Sequence, residues 1–292
     1  MITTDILLNV SLTKQYLRVF HPQIYEDFLN REQPFDNSKT YLMKNKTRMD
    51  AINFRILSLD AYSSKTNEGE LIVLTGSSDG LIKIFSTQNS LKNLKPLAYS
   101  VTHTGPVMSM ASMMLKNGQR LIFSGSTNGS FYVFKLPIDE ASFVNSPQLH
   151  YLQPIFGNRV HQSGVNCMHV RLVESQNEEM IYVCTGGDDQ SVNLTVLKSE
   201  NDTFTIVSDC HIEGVHSAAV SGVFTNGGST IVSVSIDQRL NEYYIKEGQW
   251  EIVGSCMSEV ADIADMNVVE EESHYQIVLV GAGMQIINLV KH

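Results

Sequence analysis

The run HQSGVNCMHV (161–170) sets two histidines and a cysteine within ten residues. Imidazole and thiolate this close could ligate a metal, or form a pair in which the imidazole takes the proton of a nucleophilic thiol. Two further stretches invite chemistry. VLVGAGMQI (278–286) has the strand and Gly-x-Gly of a dinucleotide or S-adenosylmethionine site, and GGDDQS (186–191) offers two adjacent carboxylates, Asp188 and Asp189, to a cation. Whether any of these groups can act depends on the elements that carry them, and a repeat sets those elements.

Five segments align without gaps: LIVLTGSSDGLIKIF (71–85), RLIFSGSTNGSFYVF (120–134), IYVCTGGDDQSVNLT (181–195), STIVSVSIDQRLNEY (229–243) and QIVLVGAGMQIINLV (276–290). Each is an apolar, β-rich run, a turn of small residues and a second run alternating with period two, which predicts strand–turn–strand hairpins. The turn position carries Asp79, Asn128, Asp189, Asp237 and, unlike the rest, Met284. Its spacings of 49, 61, 48 and 47 residues leave room for four strands per unit. Four residues before the turn stand Thr75, Ser124, Thr185 and Ser233; six after it stand Phe85, Phe134, Thr195 and Tyr243. Upstream lie His103, His161 and His216, each followed by a short alternating strand.

This recurring order of histidine, hydroxyl, turn acid and aromatic residue resembles the WD-repeat signature of β-propeller blades. Other residues stand where that family usually has tryptophan, and Trp250 is the chain's only one. The resemblance implies an all-β WD-repeat β-propeller, in which the histidine, Ser/Thr and turn acid form a hydrogen-bonded chain tying each inter-blade loop to its hairpin. His103, Ser124 and Asn128, His161, Thr185 and Asp189, His216, Ser233 and Asp237, with Thr75 and Asp79, are then structural positions. A buried imidazole needs partners on both nitrogens, and a turn carboxylate supplies one. Three histidines on different blades cannot meet at one metal, so neither a metal nor a cofactor is expected. Cys167 is expected as a small residue buried on the strand after the loop, and Asp188 as an exposed turn residue. The Gly-x-Gly would need a following helix to cradle phosphate, yet only six residues follow Ile286.

A fainter hairpin, ILLNVSLTKQYLRVF (6–20), puts Lys14 at the turn and Phe20 at the aromatic position. Residues 1–47 are therefore expected to hold a partial first blade and a loop, and residues 48–292 the blades proper. The sum is half a blade plus five, the last degenerate and ending after its third strand. That is an incomplete ring, as expected of the C-terminal part of a longer protein.

Composition narrows the function. Of the 292 residues 42% are hydrophobic and 18% charged, which is globular rather than disordered. The longest apolar runs are too short to span a bilayer, and MITTDILLNV lacks the basic start of a signal peptide. Cys167, Cys184, Cys210 and Cys256 are scattered, as reduced thiols in a cytoplasmic protein would be. A net charge of −10 argues against a broad nucleic-acid-binding face. Lys44, Lys46 and Arg48 form one local basic cluster, read as a solvated loop or as a contact for RNA or a partner.

Two stretches are more specific: RVHQSGVNCMHVRL followed by TGGDDQSVNL, and HSAAVSGVFTNGGSTIVSVSIDQRL. They resemble the C-terminal propeller of the WD-repeat regulatory subunits of the tRNA methyltransferases that modify the ribose 2′-hydroxyl of the anticodon wobble nucleotide. The resemblance implies a non-catalytic adaptor, partnered by a separate S-adenosylmethionine-dependent 2′-O-methyltransferase and touching tRNA indirectly or through a local patch. The rival reading is a protein-interaction scaffold in trafficking or signalling with no RNA role.

Overall fold

The computed structural model describes residues 55–291 apart from 88–93, 176–177, 201–202 and 247–248. The expected half-blade at 6–20 and the basic cluster Lys44, Lys46 and Arg48 lie outside the described residues.

Five sheets follow one another along the chain, antiparallel except for one short parallel pair in the first. The first holds β1 (Ile56–Ser63), β2 (Leu71–Ser77), β3 (Ile82–Ser86) and β4 (Lys95–Ser100). The second is built on β5 (Val107–Met114), β6 (Arg120–Ser126) and β7 (Ser130–Lys135). After β7 the chain departs into a short helix, α1 (Glu140–Asn145), and β8 (His150–Tyr151), then returns as β9 (Pro154–Arg159), the outermost strand of the second sheet. The third sheet runs β10 (Val165–Ser175), β11 (Glu178–Gly187), β12 (Val192–Glu200) and β13 (Thr203–Ile212). The fourth is β14 (Val220–Thr225), β15 (Thr230–Ser235), β16 (Arg239–Lys246) and β17 (Gln249–Met257). The fifth has three strands, β18 (Asp265–Glu270), β19 (His274–Gly281) and β20 (Gly283–Val290).

Alternating apolar residues give each sheet two apolar faces, and successive sheets bury them against one another. Ile72, Leu74 and Ile84 of the first sheet meet Ile122 and Phe134 of the second. Leu121, Phe123 and Val133 meet Ile181 and Val183 of the third. Cys184, Leu194 and Val196 meet Ile231 and Tyr243 of the fourth, and Val232 and Val234 meet Ile277 and Leu279 of the fifth.

The long spacing of 61 residues contains α1 and β8. Asp139 caps α1, its side chain accepting the Ser142 amide at 3.2 Å. Phe143 and Val144 of α1 are buried against the first sheet, while β8 pairs in parallel with the edge of β4, Ala98 opposite His150 and Tyr99 opposite Tyr151.

The fifth hairpin differs from the gapless alignment. Gly281 pairs with Gly283, so the turn is centred on Ala282 and Met284 lies on β20 opposite Val280 rather than in the turn. Aligned with Val232, Leu279 should face onward; it packs back on the fourth sheet instead. One residue of slip reverses every side chain of a strand. Ile277, Val278, Leu279 and Val280 are all apolar, so the pattern along β19 cannot fix which face turns inward.

Candidate functional site

His161 sits in the loop between β9 and β10, fully inside the protein. Its Nδ1 lies 3.0 Å from Asp189 Oδ1 and 2.9 Å from Ser191 Oγ, and its Nε2 lies 2.9 Å from Thr185 Oγ1. A carboxylate only accepts, so Nδ1 carries the proton and Nε2 accepts from the Thr185 hydroxyl. Asp189 also accepts the Gln162 amide at 2.7 Å and the Ser191 hydroxyl at 2.5 Å. Burial lowers the His161 pKa below the ordinary histidine value, and the adjoining Asp189 only partly offsets it. Burial also works to raise the Asp189 carboxyl, yet the Ser191, Gln162 and His161 donors outweigh it and hold the group below the usual carboxylate range.

The fourth sheet repeats the arrangement with a longer chain. His216 Nδ1 is 3.3 Å from both Asp237 oxygens, its Nε2 is 2.7 Å from Ser233 Oγ, and Ser233 Oγ is 2.9 Å from the Tyr243 hydroxyl. Tyr243 thus closes the chain where the related motif has tryptophan. In the second sheet the chain is cut. His103 Nε2 meets Ser124 Oγ at 2.7 Å, but His103 Nδ1 is buried with no partner. Asn128 instead spends its Oδ1 on the Ser130 amide at 3.0 Å. Burial takes His103 down to about 4. In the first sheet Asp79 accepts from the Ser77 hydroxyl and the Leu81 amide, while Thr75 donates to the Lys83 carbonyl.

The residue after each turn Asp or Asn is left-handed: Gly80 and Gly129 at φ +81°, Gln190 at +66° and Gln238 at +65°. Gly187 is needed for a different reason. A Cβ there would stand 2.5 Å from His161 Nδ1, inside the hydrogen-bonded chain.

Cys167 is explained by its neighbours in the repeat. The first strands of four sheets each carry a register irregularity, between Ile56 and Ser58, Val107 and Ser109, Val165 and Cys167, and Val220 and Gly222. Ser58 donates to the Val107 carbonyl at 3.0 Å and Ser109 to the Val165 carbonyl at 2.9 Å, each stitching one sheet to the next. Cys167 holds the same place, its Sγ 3.7 Å from the Val220 carbonyl. Burial raises its thiol pKa well above the ordinary value, the opposite of what a nucleophile requires. His169, in the same run, accepts the Thr225 amide through Nδ1 at 3.3 Å and is brought by burial to about 4. Asp188 is exposed and accepts from Asn166 at 2.5 Å, away from His161. Among the described residues no group of three or more His, Cys, Asp or Glu side chains could hold a metal ion.

The stitching serines and Ser191 were not apparent in the sequence. For Ser191 a signal was present: Ser77, Ser126 and Ser235 stand two residues before the turn Asp or Asn, and the third unit has Gly187 there and its serine, Ser191, two residues after. Beside His161, between β9 and the β12–β13 edge, lies an open cleft of about 530 Å³ lined by Arg159, Gln162, Asn193, Asp209, His211 and Glu213.

Sheets of four antiparallel strands, packed face to face and tied at their hairpins by buried histidine–hydroxyl–carboxylate chains, define a WD-repeat β-propeller architecture. Comparison with known proteins adds a more particular likeness. The chain is similar to the tRNA (34-2′-O)-methyltransferase regulator WDR6 of Homo sapiens, 27% identical over 244 residues, covering 74% of this chain and 22% of that protein. The Rattus norvegicus protein of the same name is 26% identical over 264 residues, covering 81% and 23%. The chain therefore spans between a fifth and a quarter of the length of these relatives. No family model matches it. A chain in a crystal structure of the mitotic checkpoint complex aligns at a TM-score of 0.45 and 14% identity, over 76% of this chain and 62% of that one.

Proposed function

We propose that this chain is part of a non-catalytic WD-repeat adaptor that supports 2′-O-ribose methylation of the tRNA wobble nucleotide by a separate, S-adenosylmethionine-dependent methyltransferase. The observation that carries this reading is the similarity to the named methyltransferase regulators, which runs through most of the repeat rather than through one motif. The chemistry of the described side chains is in keeping with it. The histidines and turn acids that could have formed a catalytic set are neutral or paired and engaged in holding blades together. Catalysis is then the partner's task, and binding and placement are this chain's. The basic cluster Lys44, Lys46 and Arg48 is assigned the local contact with RNA or partner, against an overall charge of −10. We place the adaptor in the cytoplasm, where its scattered cysteines would stay reduced.

The test is capture of the endogenous protein from cells, with identification of bound proteins and RNA and measurement of wobble-position ribose methylation after gene deletion. Recovery of a 2′-O-methyltransferase together with loss of the modification supports the adaptor. Coat, kinase or receptor components with methylation intact overturn it.

A further inference from the structure

We infer that the outer edge of β17 is a docking site for an extended segment of a partner polypeptide, an apolar pair followed by a short strand and carrying a lysine or arginine. The fold holds its own precedent. Four outermost strands carry an extra residue: Leu97 on β4, Ile155 on β9 and Val253 on β17 at the same point of the repeat, and Val207 on β13 displaced from it by two residues. On β4 that residue is 1% exposed, because Phe143, Val144 and Leu152 of the α1–β8 excursion close over it. Leu152 then donates its amide to the Tyr99 carbonyl at 2.8 Å, and β8 pairs with the strand edge.

On the other three strands the place is open, Ile155 being 38% and Val207 55% exposed, and among them only β17 sets a carboxylate, Glu251, two residues before it. Val253 is 48% exposed and its neighbour Ile252 54%, and among the described residues no strand pairs with the outer edge of β17. Along EIVGSCM (251–257) the only charge is Glu251, and Cys256 and Met257 are exposed as well. Uncharged, apolar edge strands invite pairing with another chain, and proteins ordinarily protect them. The small residue beside Val253 is Gly254, where β4 has Ala98, the residue opposite β8.

Charge decides the occupant. Two residues before Leu97 stands Lys95, whose ammonium holds the Val144 carbonyl at 2.6 Å at the end of α1. The matching residue on β17 is Glu251. The segment that fits β17 therefore presents a cation where the chain's own segment presents a carbonyl.

The test uses the full chain and a labelled peptide of sequence DEASFVKSPQLHYL, residues 139–152 with Asn145→Lys, read by fluorescence anisotropy. Saturable binding is expected, with Cys256 protected from alkylation by the bound peptide. Val253→Asp, a change at an exposed position, should leave thermal unfolding unaltered and weaken binding by about tenfold or more. Glu251→Lys should lose the lysine peptide and bind the Asn145→Glu peptide instead. Absence of saturable binding, binding indifferent to both substitutions, or occupation of this edge by a second copy of the chain would overturn the inference. The last would show as concentration-dependent dimerisation abolished by Val253→Asp.

Discussion

Asn128→Asp should make the protein more stable. Among the described residues His103 is the one repeat histidine whose Nδ1 is buried and unpartnered, and the residue at its turn position is the amide Asn128, where Asp189 and Asp237 serve His161 and His216. Asn128 Oδ1 already accepts the Ser130 amide as Asp189 accepts Ser191 and Asp237 accepts Arg239, so a carboxylate keeps the turn and frees its second oxygen for His103. A hydrogen bond to a charged group contributes roughly 1.5–3 kcal/mol, part of which is offset by burying the new carboxylate, leaving a net gain of about 1 kcal/mol. In a domain of this size that raises the unfolding midpoint by about 2–4 °C.

The pH profile gives a second, sharper readout. Burial depresses His103 from 6.5 to about 4, so between those values the unfolded chain takes up a proton that the folded chain excludes. Stability therefore falls as pH falls through this window, by up to about 1.4 kcal/mol per pH unit for each such histidine. The carboxylate introduced by Asn128→Asp would raise the His103 pKa in the folded state and make this acid limb shallower. Chemical denaturation of both proteins at pH 7.5 and at steps down to pH 4.5 measures it. An unchanged or lowered midpoint at neutral pH, with the acid slope unaltered, would show that the repeat position does not pair the two side chains. A double-mutant cycle with His103→Asn isolates the coupling.

Other substitutions probe the same framework. Asp237→Ala and Asp189→Ala should each cost on the order of 1–3 kcal/mol by stripping a buried imidazole of its acceptor, measured by urea titration. Full stability with loss of a cellular activity would instead give these acids a direct role. Cys167→Ser, which installs the residue found at positions 58 and 109, should keep stability within about 1 kcal/mol of the parent; a larger loss refutes the equivalence of the three positions. Gly187→Ala forces a methyl against the His161 ring and should destabilise by about 1–3 kcal/mol. An unchanged midpoint there means the loop gives way freely.

The hairpins of the first four units were legible because turn chemistry and alternation agreed along the chain: Asp-Gly or Asn-Gly, or an acid followed by Gln, between alternating apolar residues. The link from His161 to Thr185 and Asp189 followed from the resemblance to the WD-repeat signature, since residue type and spacing alone leave the partners of a buried histidine open. Its failure at His103 was not legible. Asparagine and aspartate are interchangeable in a turn signature, yet only the latter is a pure acceptor. The fifth hairpin was misframed because β19 is apolar on both faces, so alternation carried no register. The excursion of α1 and β8 showed only as an overlong spacing, since six residues of helix and two of strand leave too little pattern to read. The stitching role of Ser58 and Ser109 depends on a local irregularity that turns one side chain toward the next sheet, a matter of backbone geometry rather than composition.

That stitch is absent at one joint. Ser58, Ser109 and Cys167 each reach the following sheet, but the fourth member of the series is Gly222, which has no side chain to offer, and a Cβ there would strike Met266. Units coupled to nearest neighbours part most readily where the coupling is weakest. The joint between the fourth and fifth sheets should then open more readily than the three stitched joints, and amide protection along β18 should be lower than along β5, β10 and β14.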